Sequence, residues 1–317
     1  GTRAANGVVL ITTKNGKAGK ATLSYNTYTG FQSPTKKLDV LGASDYMKMT
    51  NFRQINNGGS AVYTDSEINS AGKGTNWQDE LFTNALVQNH DLSVSGGDAK
   101  GNYYLGLNYF DQDGIVKTSS NQKYNIRLNI QSRPFDNLLI SANANFTRNA
   151  TKSIIFDKNQ VNEGAGPINS AIQFDPTLPA GIGEDGAYYR NPSIALDNPV
   201  ALINGIDERE LVSQFYASVN ADYEPIENVT ATLRVGADVR NGRSDHYRNR
   251  MTLAGLANGG IASVGNSEST HWLLETLLRY ENTFNEVHDV SIMGGVTFEE
   301  FLNRNMGGFV TGFLTDV

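Results

Sequence analysis

The sequence contains no cysteine among its 317 residues. A disulfide framework, a thiolate nucleophile and a sulfur-ligated metal are therefore excluded. Histidine is also scarce, and its four copies are scattered with no glutamate at a metal-binding spacing: His90, His246, His271 and His288. Because metal ligands must converge on one point, we predict no metal site, no catalytic histidine and no cofactor.

Long hydrophobic runs are missing too. Only 39% of the chain is hydrophobic, and no stretch approaches the roughly 18 consecutive apolar residues of a membrane-spanning helix. A helical membrane protein is thereby excluded. A transmembrane β-barrel is not, because alternation of apolar and polar residues halves the apolar content of each strand. The mean hydropathy of -0.38 is compatible with a soluble β-protein and with a barrel.

Positive charge is in deficit, with 26 Lys and Arg against 33 Asp and Glu, a net charge of -7 and a pI near 5.2. This balance gives no basic footprint for nucleic acid, and we predict no such partner. The opening residues, GTRAANG, lack the charged and then apolar stretches of a signal peptide. We expect that the chain either is not exported or is a piece of something longer.

The most informative pattern that is present is a set of long alternating segments. In residues 229–240, Val229, Leu233 and Val235 share one face, while Arg234 and Asp238 share the other. A period of two residues is typical of a strand with one apolar and one polar face. These segments run for roughly 11 to 13 residues, against about 5 or 6 in soluble domains. Crossing a bilayer takes about 9 to 11 tilted residues, so the segments have membrane-spanning length.

Nine such segments follow one another along the chain. They lie near residues 21–31, 88–96, 101–112, 122–133, 138–149, 211–224, 229–241, 270–284 and 288–300. Tight turns rich in Pro and Asn are predicted at 134–137, 225–228 and 285–287, whereas the connections near 33–86, 150–210 and 242–269 are long. Short and long connections alternate, as in outer-membrane barrels with short periplasmic turns and long external loops.

The first long connection contains two helix signals. Ser44, Asp45 and Tyr46 can open a short helix, with Tyr46, Met49 and Phe52 three residues apart on one face. A second helix is predicted between Asn76 and Phe82.

Aromatic spacing agrees with a membrane-spanning sheet. Phe215 and Tyr223 are eight residues apart on one face, as are Trp272 and Tyr280. Eight tilted residues rise roughly 20 Å, close to the roughly 25 Å apolar band between aromatic girdles. A general preference of aromatics for strands is the alternative explanation.

Several stretches together resemble one known family. They are GTRAANGVVLITTK at 1–14, NWQDE at 76–80, HDLSVSGG at 90–97, YYL at 103–105, DGIV at 113–116, DPTLP at 175–179, NPVAL at 198–202, EST at 268–270 and WL at 272–273. Through them the chain resembles SusC/RagA-type TonB-linked outer-membrane proteins over essentially its whole length.

The resemblance implies a fold and a function. The fold class would be all-β, a partial transmembrane up-and-down barrel contributing nine of about 22 strands around a plug. Residues 1–16 would end the plug domain and residues 17–317 would begin the barrel, so we interpret the chain as a fragment with two open edges. The complete protein would lie in the Gram-negative outer membrane and import oligosaccharides or peptides. Its partners would be a SusD-like lipoprotein lid, outer-membrane lipid and the TonB-ExbB-ExbD complex.

Two groups of residues are candidates for contact with the solute. The first lies on the polar faces of the predicted strands and would border a hydrated lumen: Arg127, Arg234, Asp238, Glu275, Arg279 and Glu281. A solvated face of a soluble sheet is the alternative. The second lies in the longest loop, where aromatic and polar groups could stack on a sugar ring or a peptide: Tyr188, Tyr189, Arg190 and Asn191. Anchoring of the loop is the alternative there.

No catalytic arrangement is apparent, and we predict that the chain is not an enzyme. Residues 111–114 (DQDG) do not fit a calcium-binding loop, because Tyr109 and Ser120 occupy the first and last ligand positions; we interpret them as a turn. Ser95 and Ser263 lack the flanking glycines of a nucleophile elbow. Two other functions remain open: an outer-membrane receptor or adhesin without transport, and a soluble β-sandwich binding module.

Overall fold

The computed structural model of the chain describes residue 16 and residues 19–154 and 166–316. Its framework is a single nine-stranded antiparallel sheet in which each strand pairs with its neighbours in sequence. The strands are β1 (Gly19–Gln32), β2 (Ala85–Gly97), β3 (Gly101–Asp113), β4 (Ser120–Phe135), β5 (Leu138–Ser153), β6 (Ile206–Ile226), β7 (Val229–Arg248), β8 (Ile261–Phe284) and β9 (His288–Thr311). All nine predicted strands are present and the predicted fold class is confirmed.

The sheet is open, as predicted. Strands β1 and β9 stand at the two ends of the strand order, so among the described residues each pairs on one side. The assignment of residues 1–16 to the end of a plug falls, apart from Gly16, outside the described residues.

The strands are longer than the alternating pattern predicted. Strands β8 and β9 each have 24 residues, and the connections that follow β5 and β7 shrink to 154–205 and 249–260. The predicted bounds of 150–210 and 242–269 were therefore too wide. In β8 the residues 265–269 (GNSES) are polar or glycine on both faces, so alternation disappears there while the backbone ladder continues.

Short and long connections lie at opposite ends of the sheet. The short ones are 136–137, 227–228 and 285–287, which lie within the predicted turns, and 98–100, for which no turn was predicted. The others are 33–84, 114–119, 154–205 and 249–260. We call the second group the external connections. One of them, 114–119, is brief, and strand β3 continues through Asp113 before it. Asn228 and Asn285 have positive φ angles of 63° and 55°, which Asn tolerates in tight turns.

In the described residues of the external connections there are six short helices. They are α1 (Ala43–Asn56), α2 (Asp65–Ser70), α3 (Trp77–Leu81), α4 (Pro167–Gln173), α5 (Pro199–Gly205) and α6 (Leu253–Asn258). Helices α1 and α3 were predicted. Thr64 and Glu67 form a reciprocal capping box at α2, and the Asn198 side chain caps α5 ahead of Pro199. No helix of residues 19–154 and 166–316 is long and apolar enough to cross a membrane.

The buried core of the described chain lies in the external connections, away from the sheet. We call it the cap core; its members are Trp77, Leu81, Val116, Ala171, Phe174, Leu196 and Ile203. The rings of Trp77 and Phe174 meet edge to face at 4.8 Å, and Trp77 Nε1 donates to the Asp175 carbonyl at 3.0 Å. Because three connections contribute, they form one packed body above the sheet.

A glycine permits this close docking. Gly74 has φ +66°, and a Cβ there would stand 2.2 Å from the Pro176 carbonyl oxygen. Any larger residue would therefore push apart the connections 33–84 and 154–205. The adjacent Thr75 N–H donates to that same carbonyl at 2.9 Å.

Candidate functional site

One face of the sheet is apolar and uncovered. The register places apolar side chains side by side across eight strands: Leu23, Val94, Leu105, Leu128, Ala144, Ala217, Ala237 and Trp272. On the same face, Val235 is 47% exposed and Leu278 is 57% exposed. No second sheet covers this face in the described part of the chain. The soluble sandwich alternative is therefore wrong, because it needs a second layer to bury these side chains.

The opposite face carries all six predicted polar residues. Arg127 pairs with Asn145, which pairs with Tyr216, which pairs with Asp238, so Arg127 and Asp238 belong to one cross-strand row. Arg234 and Glu275 are direct cross-strand partners. Arg279 and Glu281 lie further along β8 with the same parity as Glu275. We call this the polar face.

Five of the six predicted charged residues on the polar face have a charged, amide or hydroxyl partner. Arg234 Nη1 lies 2.6 Å from Glu275 Oε1. Gln214 Nε2 donates to both Asp238 carboxylate oxygens at 2.9 and 3.0 Å. Arg279 and Glu281 are 3.7 Å apart. Because these side chains are partly exposed, each ion pair contributes at most about 1 kcal/mol; their effect is to fix side-chain positions.

A network of neutral amides covers the polar face of β4 and β5. Asn125 Nδ2 donates to Asn145 Oδ1 at 2.9 Å and to Thr147 Oγ1 at 2.8 Å. Four residues earlier on β4, Asn121 Nδ2 donates a hydrogen bond to Asn149 Oδ1 at 3.0 Å. This network was not predicted from the sequence, although Asn stands at every fourth residue from 121 to 129. Side-chain amides offer both donors and acceptors, so the surface can bind hydroxyl or amide groups.

The predicted loop residues gather around a cavity of 260 Å³ among the external connections. Tyr188, Tyr189 and Arg190 line it together with Leu196, Asp197 and Asn198 of the same connection and with residues distant in sequence: Arg250, Met251, Leu253, Leu256 and Asp316. The fourth predicted residue, Asn191, does not line it. Its Oδ1 instead accepts from the backbone N–H groups of Ser193 and Ile194 at 2.9 and 3.2 Å, which fixes the loop.

The cavity joins aromatic groups to charges of both signs. Tyr188 Oη accepts from Asn204 Nδ2 at 2.9 Å, while Tyr189 is 38% exposed. Arg250 Nη1 and Asp316 Oδ2 are 3.1 Å apart. The Tyr247 hydroxyl, which donates to Asp316 Oδ1 at 2.7 Å, holds the pKa of that carboxyl below its usual value.

Asp197 forms hydrogen bonds with α6 and with α4, on two sides of the cavity. Its Oδ1 accepts from the Leu253 backbone N–H at 2.6 Å, and its carbonyl oxygen accepts from Ser170 Oγ. Burial raises the pKa of Asp197, against the opposing effects of the Leu253 N–H, Arg248 and Arg190. Through the hydrogen bond from Leu253, the partly buried Asp197 carboxyl group holds α6 against the long connection 154–205.

A larger cavity of 560 Å³ lies between α1 and α4. It is lined by Asp39, Val40, Leu41, Asp45, Tyr46, Trp77, Phe174 and Pro176 among others. No sequence signal pointed to it, because its walls come from segments about a hundred residues apart.

The four histidines lie far from one another. His90 Nδ1 shares a hydrogen bond of 2.7 Å with the Tyr25 hydroxyl on the apolar face, and the His271 ring stacks on Phe301 at 4.0 Å on the polar face. His246 is 3.4 Å from Glu208, and His288 begins β9. Among the described residues, no group of three or more His, Asp or Glu side chains is placed to hold a metal ion.

Proteins of similar sequence are TonB-dependent receptors. A TonB-dependent receptor of Formosa agariphila is 30% identical over 321 residues, which cover 100% of this chain and 30% of the relative. The TonB-dependent receptor SusC of Bacteroides thetaiotaomicron is 30% identical over 248 residues, covering 71% of this chain and 23% of the relative. The chain thus spans less than a third of the length of these receptors. No protein-family profile matches it.

Solved structures show the same fold. The RagAB peptide transporter superposes with a TM-score of 0.80 at 20% identity, covering 99% of this chain and 38% of that one. The RagAB peptide importer in its closed-closed state gives 0.77 at 22% identity, covering 100% and 38%. Together with the sequence relatives, the two-faced antiparallel sheet places the chain in the SusC/RagA family of TonB-dependent receptors.

Proposed function

We propose that the chain forms the first part of the barrel of a TonB-dependent importer in the outer membrane of a Gram-negative bacterium. Residues 1–16 would end the plug and residues 17–317 would begin the barrel. The observation that carries this proposal is the uncovered apolar face on strands of up to 24 residues. Only a hydrocarbon environment lets such a face remain uncovered by protein at no cost.

In this proposal the polar face borders the lumen. Arg127, Arg234, Asp238, Glu275, Arg279 and Glu281 would line the wall that meets the plug, because alternation puts every second residue inside a barrel. The cavity beside Tyr188, Tyr189 and Arg190 would contact the solute from outside, with Asn191 holding the loop.

Import requires that the solute bind one conformation more tightly than another, since a ligand shifts an equilibrium only by its differential affinity. The TonB-ExbB-ExbD complex would supply the energy by acting on the plug, and a SusD-like lipoprotein would close the external side. The relatives named SusC and RagAB, the second described as a peptide importer, support this arrangement.

The solute would be an oligosaccharide or a peptide. The amide network of β4 and β5 supports both classes, because Asn125 and Asn145 present donors and acceptors without net charge. Sugar hydroxyls and peptide groups need both kinds of partner.

The test is uptake by the complete receptor containing this segment, expressed in cells lacking their own copy. Labelled oligosaccharide and peptide pools are supplied with and without a functional TonB protein. We expect uptake of one pool to fall at least tenfold when TonB is removed, while surface binding persists. Binding that never leads to uptake, with or without TonB, would support the adhesin alternative and overturn the importer.

The loop cavity has its own test. Tyr188→Ala combined with Tyr189→Ala should reduce uptake several-fold, because a stacking surface is lost, and Arg190→Gln should act in the same direction. A matched control is Phe52→Ala with Ile55→Ala, two side chains that are 60% and 57% exposed on α1, distant from this cavity. Uptake unchanged in the tyrosine variant would end the assignment.

A further inference from the structure

Carboxamide side chains run down the polar face from one end of the sheet to the other. Strands β4 and β5 form six consecutive cross-strand rows on this face, and every row contains an Asn or a Gln. We call this series the amide track. In order from the external end to the short-turn end, one member from each row is Asn121, Asn149, Asn125, Asn145, Asn129 and Gln131.

The amide track is as long as a membrane is thick. Ten residue steps separate Asn121 from Gln131 on β4. At about 3.4 Å per residue and a tilt near 40°, they rise roughly 26 Å. The hydrocarbon core of a bilayer is about 30 Å thick, so the track extends over most of the height of the proposed barrel.

The polar face carries little charge around the track. Among the paired residues of β2 to β5, its charged side chains are Asp91, Lys123 and Arg127. Asp91 itself accepts from Asn89 Nδ2 at 2.7 Å and from Asn108 Nδ2 at 2.8 Å. The next three strands, β6 to β8, are different, because there the same face carries charges of both signs: Asp222, Arg234, Asp238, Arg240 and Glu275.

Neighbouring side chains orient the carboxamides without using all their hydrogen-bonding groups. A carboxamide has two donor hydrogens and two acceptor lone pairs. Asn145 accepts one hydrogen bond from Asn125 at 2.9 Å and donates one to Thr147 at 3.2 Å, which is half of its capacity. At the short-turn end, Asn102 Nδ2 donates to Gln131 Oε1 at 3.1 Å. The fixed amides therefore still offer donors and acceptors to a solute.

An aromatic ring lies flat on the wall beside the track. A Cβ at Gly106 would stand 3.0 Å from both Cε1 and Oη of Tyr104, so the ring fills the space above the glycine. Tyr104 is the direct cross-strand partner of Asn129. A ring in this position presents its other face to the lumen, where it can stack on a sugar ring while the amides bind the hydroxyl groups.

A series of similar neutral groups suits movement better than it suits tight binding. A solute that advances by one row exchanges one set of neutral hydrogen bonds for an equivalent set, so its energy changes little from row to row. Hydrogen bonds to ionised groups are roughly twice as strong as neutral ones and would hold a solute in place. A peptide also brings charged termini, and a charge that leaves water without a partner is costly.

We propose that the amide track is the path along which a neutral oligosaccharide crosses the membrane, with Tyr104 as a stacking platform. This inference rests on the importer assignment and adds the solute class and its route. The track acts on the rate of passage, whereas capture of the solute takes place at the external connections.

The test uses the complete receptor in cells that lack their own copy. The cells are supplied with labelled pools of neutral oligosaccharides and of tryptic peptides. Initial uptake rate is measured with TonB present, and the Kd of surface binding is measured without TonB. Asn125→Leu combined with Asn145→Leu removes the hydrogen-bonding groups of two central rows at similar side-chain volume. We expect the uptake rate of the neutral pool to fall at least tenfold and its Kd to change less than twofold.

The matched control removes two carboxamides from the same face outside the track. Asn303 and Asn305 lie on the polar face of β9, and Asn303 belongs to the same cross-strand row as Asn125. Asn303→Leu combined with Asn305→Leu should leave the uptake rate within twofold of the original. Equal slowing by the two leucine variants, or a Kd that rises as much as uptake falls, overturns the proposal.

Two further variants separate hydrogen bonding from folding. Asn125→Thr combined with Asn145→Thr keeps a donor and an acceptor in each row and should retain uptake within threefold. Tyr104→Leu leaves the amides in place and should slow uptake several-fold. If the double leucine variant does not reach the cell surface, Tyr104→Leu carries the test, and an uptake rate within twofold of the original then overturns the proposal.

The original receptor distinguishes failure of the track from failure of the importer. TonB-dependent uptake of the peptide pool in place of the neutral pool, or TonB-dependent uptake that none of these variants slows, overturns the track and leaves the importer assignment intact. No TonB-dependent uptake of either pool overturns both.

Discussion

Among single residues, Asp197 is a partly buried loop carboxyl whose contribution to stability depends on pH. Its pKa is raised, chiefly by desolvation. A carboxyl with a raised folded-state pKa favours the folded state most below its unfolded pKa of about 3.9, and this contribution is lost as pH rises through the folded value.

We therefore expect Asp197→Asn to remove a pH dependence while keeping the acceptor for the Leu253 N–H. Hydrogen exchange of the 249–258 segment, corrected for intrinsic rates, should show protection that decreases from pH 4 to pH 7 in the original receptor. In the variant it should stay level. A parallel decrease in both proteins would show that another group is responsible.

The two faces of the sheet can also be tested one residue at a time. Val235 lies near the middle of the apolar row of β7, and Val235→Arg should cost roughly 2–4 kcal/mol if that row meets hydrocarbon. The adjacent Arg234 faces the other way, and Arg234→Gln should cost less than about 1 kcal/mol. Reversible urea unfolding of the complete receptor in lipid vesicles measures both. Similar costs for the two variants would contradict the assignment of faces.

Among the elements, the external connections behave as one unit because they share the cap core. Trp77 is 2% exposed and meets Phe174 from a connection about a hundred residues away. Asp175 beneath it is 1% exposed, and burial raises the pKa of the nearby Tyr46 and Tyr63 hydroxyls. A displacement of the connection 33–84 must therefore also displace the connection 154–205.

Truncation of the central aromatic should loosen both connections together. We expect Trp77→Ala to cost about 3–5 kcal/mol of local stability, with faster exchange in segments 43–56 and 167–178 alike. Phe52→Ala, at a side chain that is 60% exposed, should stay within about 0.5 kcal/mol. Faster exchange in only one of the two segments would show that they are independent.

At the scale of the whole molecule, the open sheet determines how the chain associates with other chains. Within the described residues, β1 and β9 each leave one ladder edge unpaired, and β9 exposes Ile292, Phe298 and Phe301 at 64%, 57% and 65%. Unpaired edges with apolar side chains recruit other chains.

The isolated 317 residues should therefore form detergent-dependent oligomers. Size-exclusion chromatography with light scattering, in detergent, should give a broad distribution above the mass of one chain. A single monomeric species with a closed barrel's resistance to protease would show that the edges pair with each other.

Much of the fold could be predicted because strand formation here is local. The alternation around Leu233 and Arg234 fixes which side chains share a face, whichever strand comes next. The helix that includes Tyr46 and Met49 was predicted for the same reason. Strand ends could not be predicted, because the 24-residue ladder of β8 continues where both faces are polar and alternation carries no signal.

The candidate site also has features that the sequence predicts and features that only the tertiary structure shows. The sequence by itself determined that six charged residues lie on one polar face and that Tyr188 and Tyr189 occupy a long loop, since both follow from position along the chain. Only the tertiary structure decided that Asp197, Arg250 and Asp316 close a cavity around those tyrosines and that Asn191 turns away from it. These contacts join residues far apart in sequence, and their register is set by strand pairing and loop packing, which no local pattern encodes.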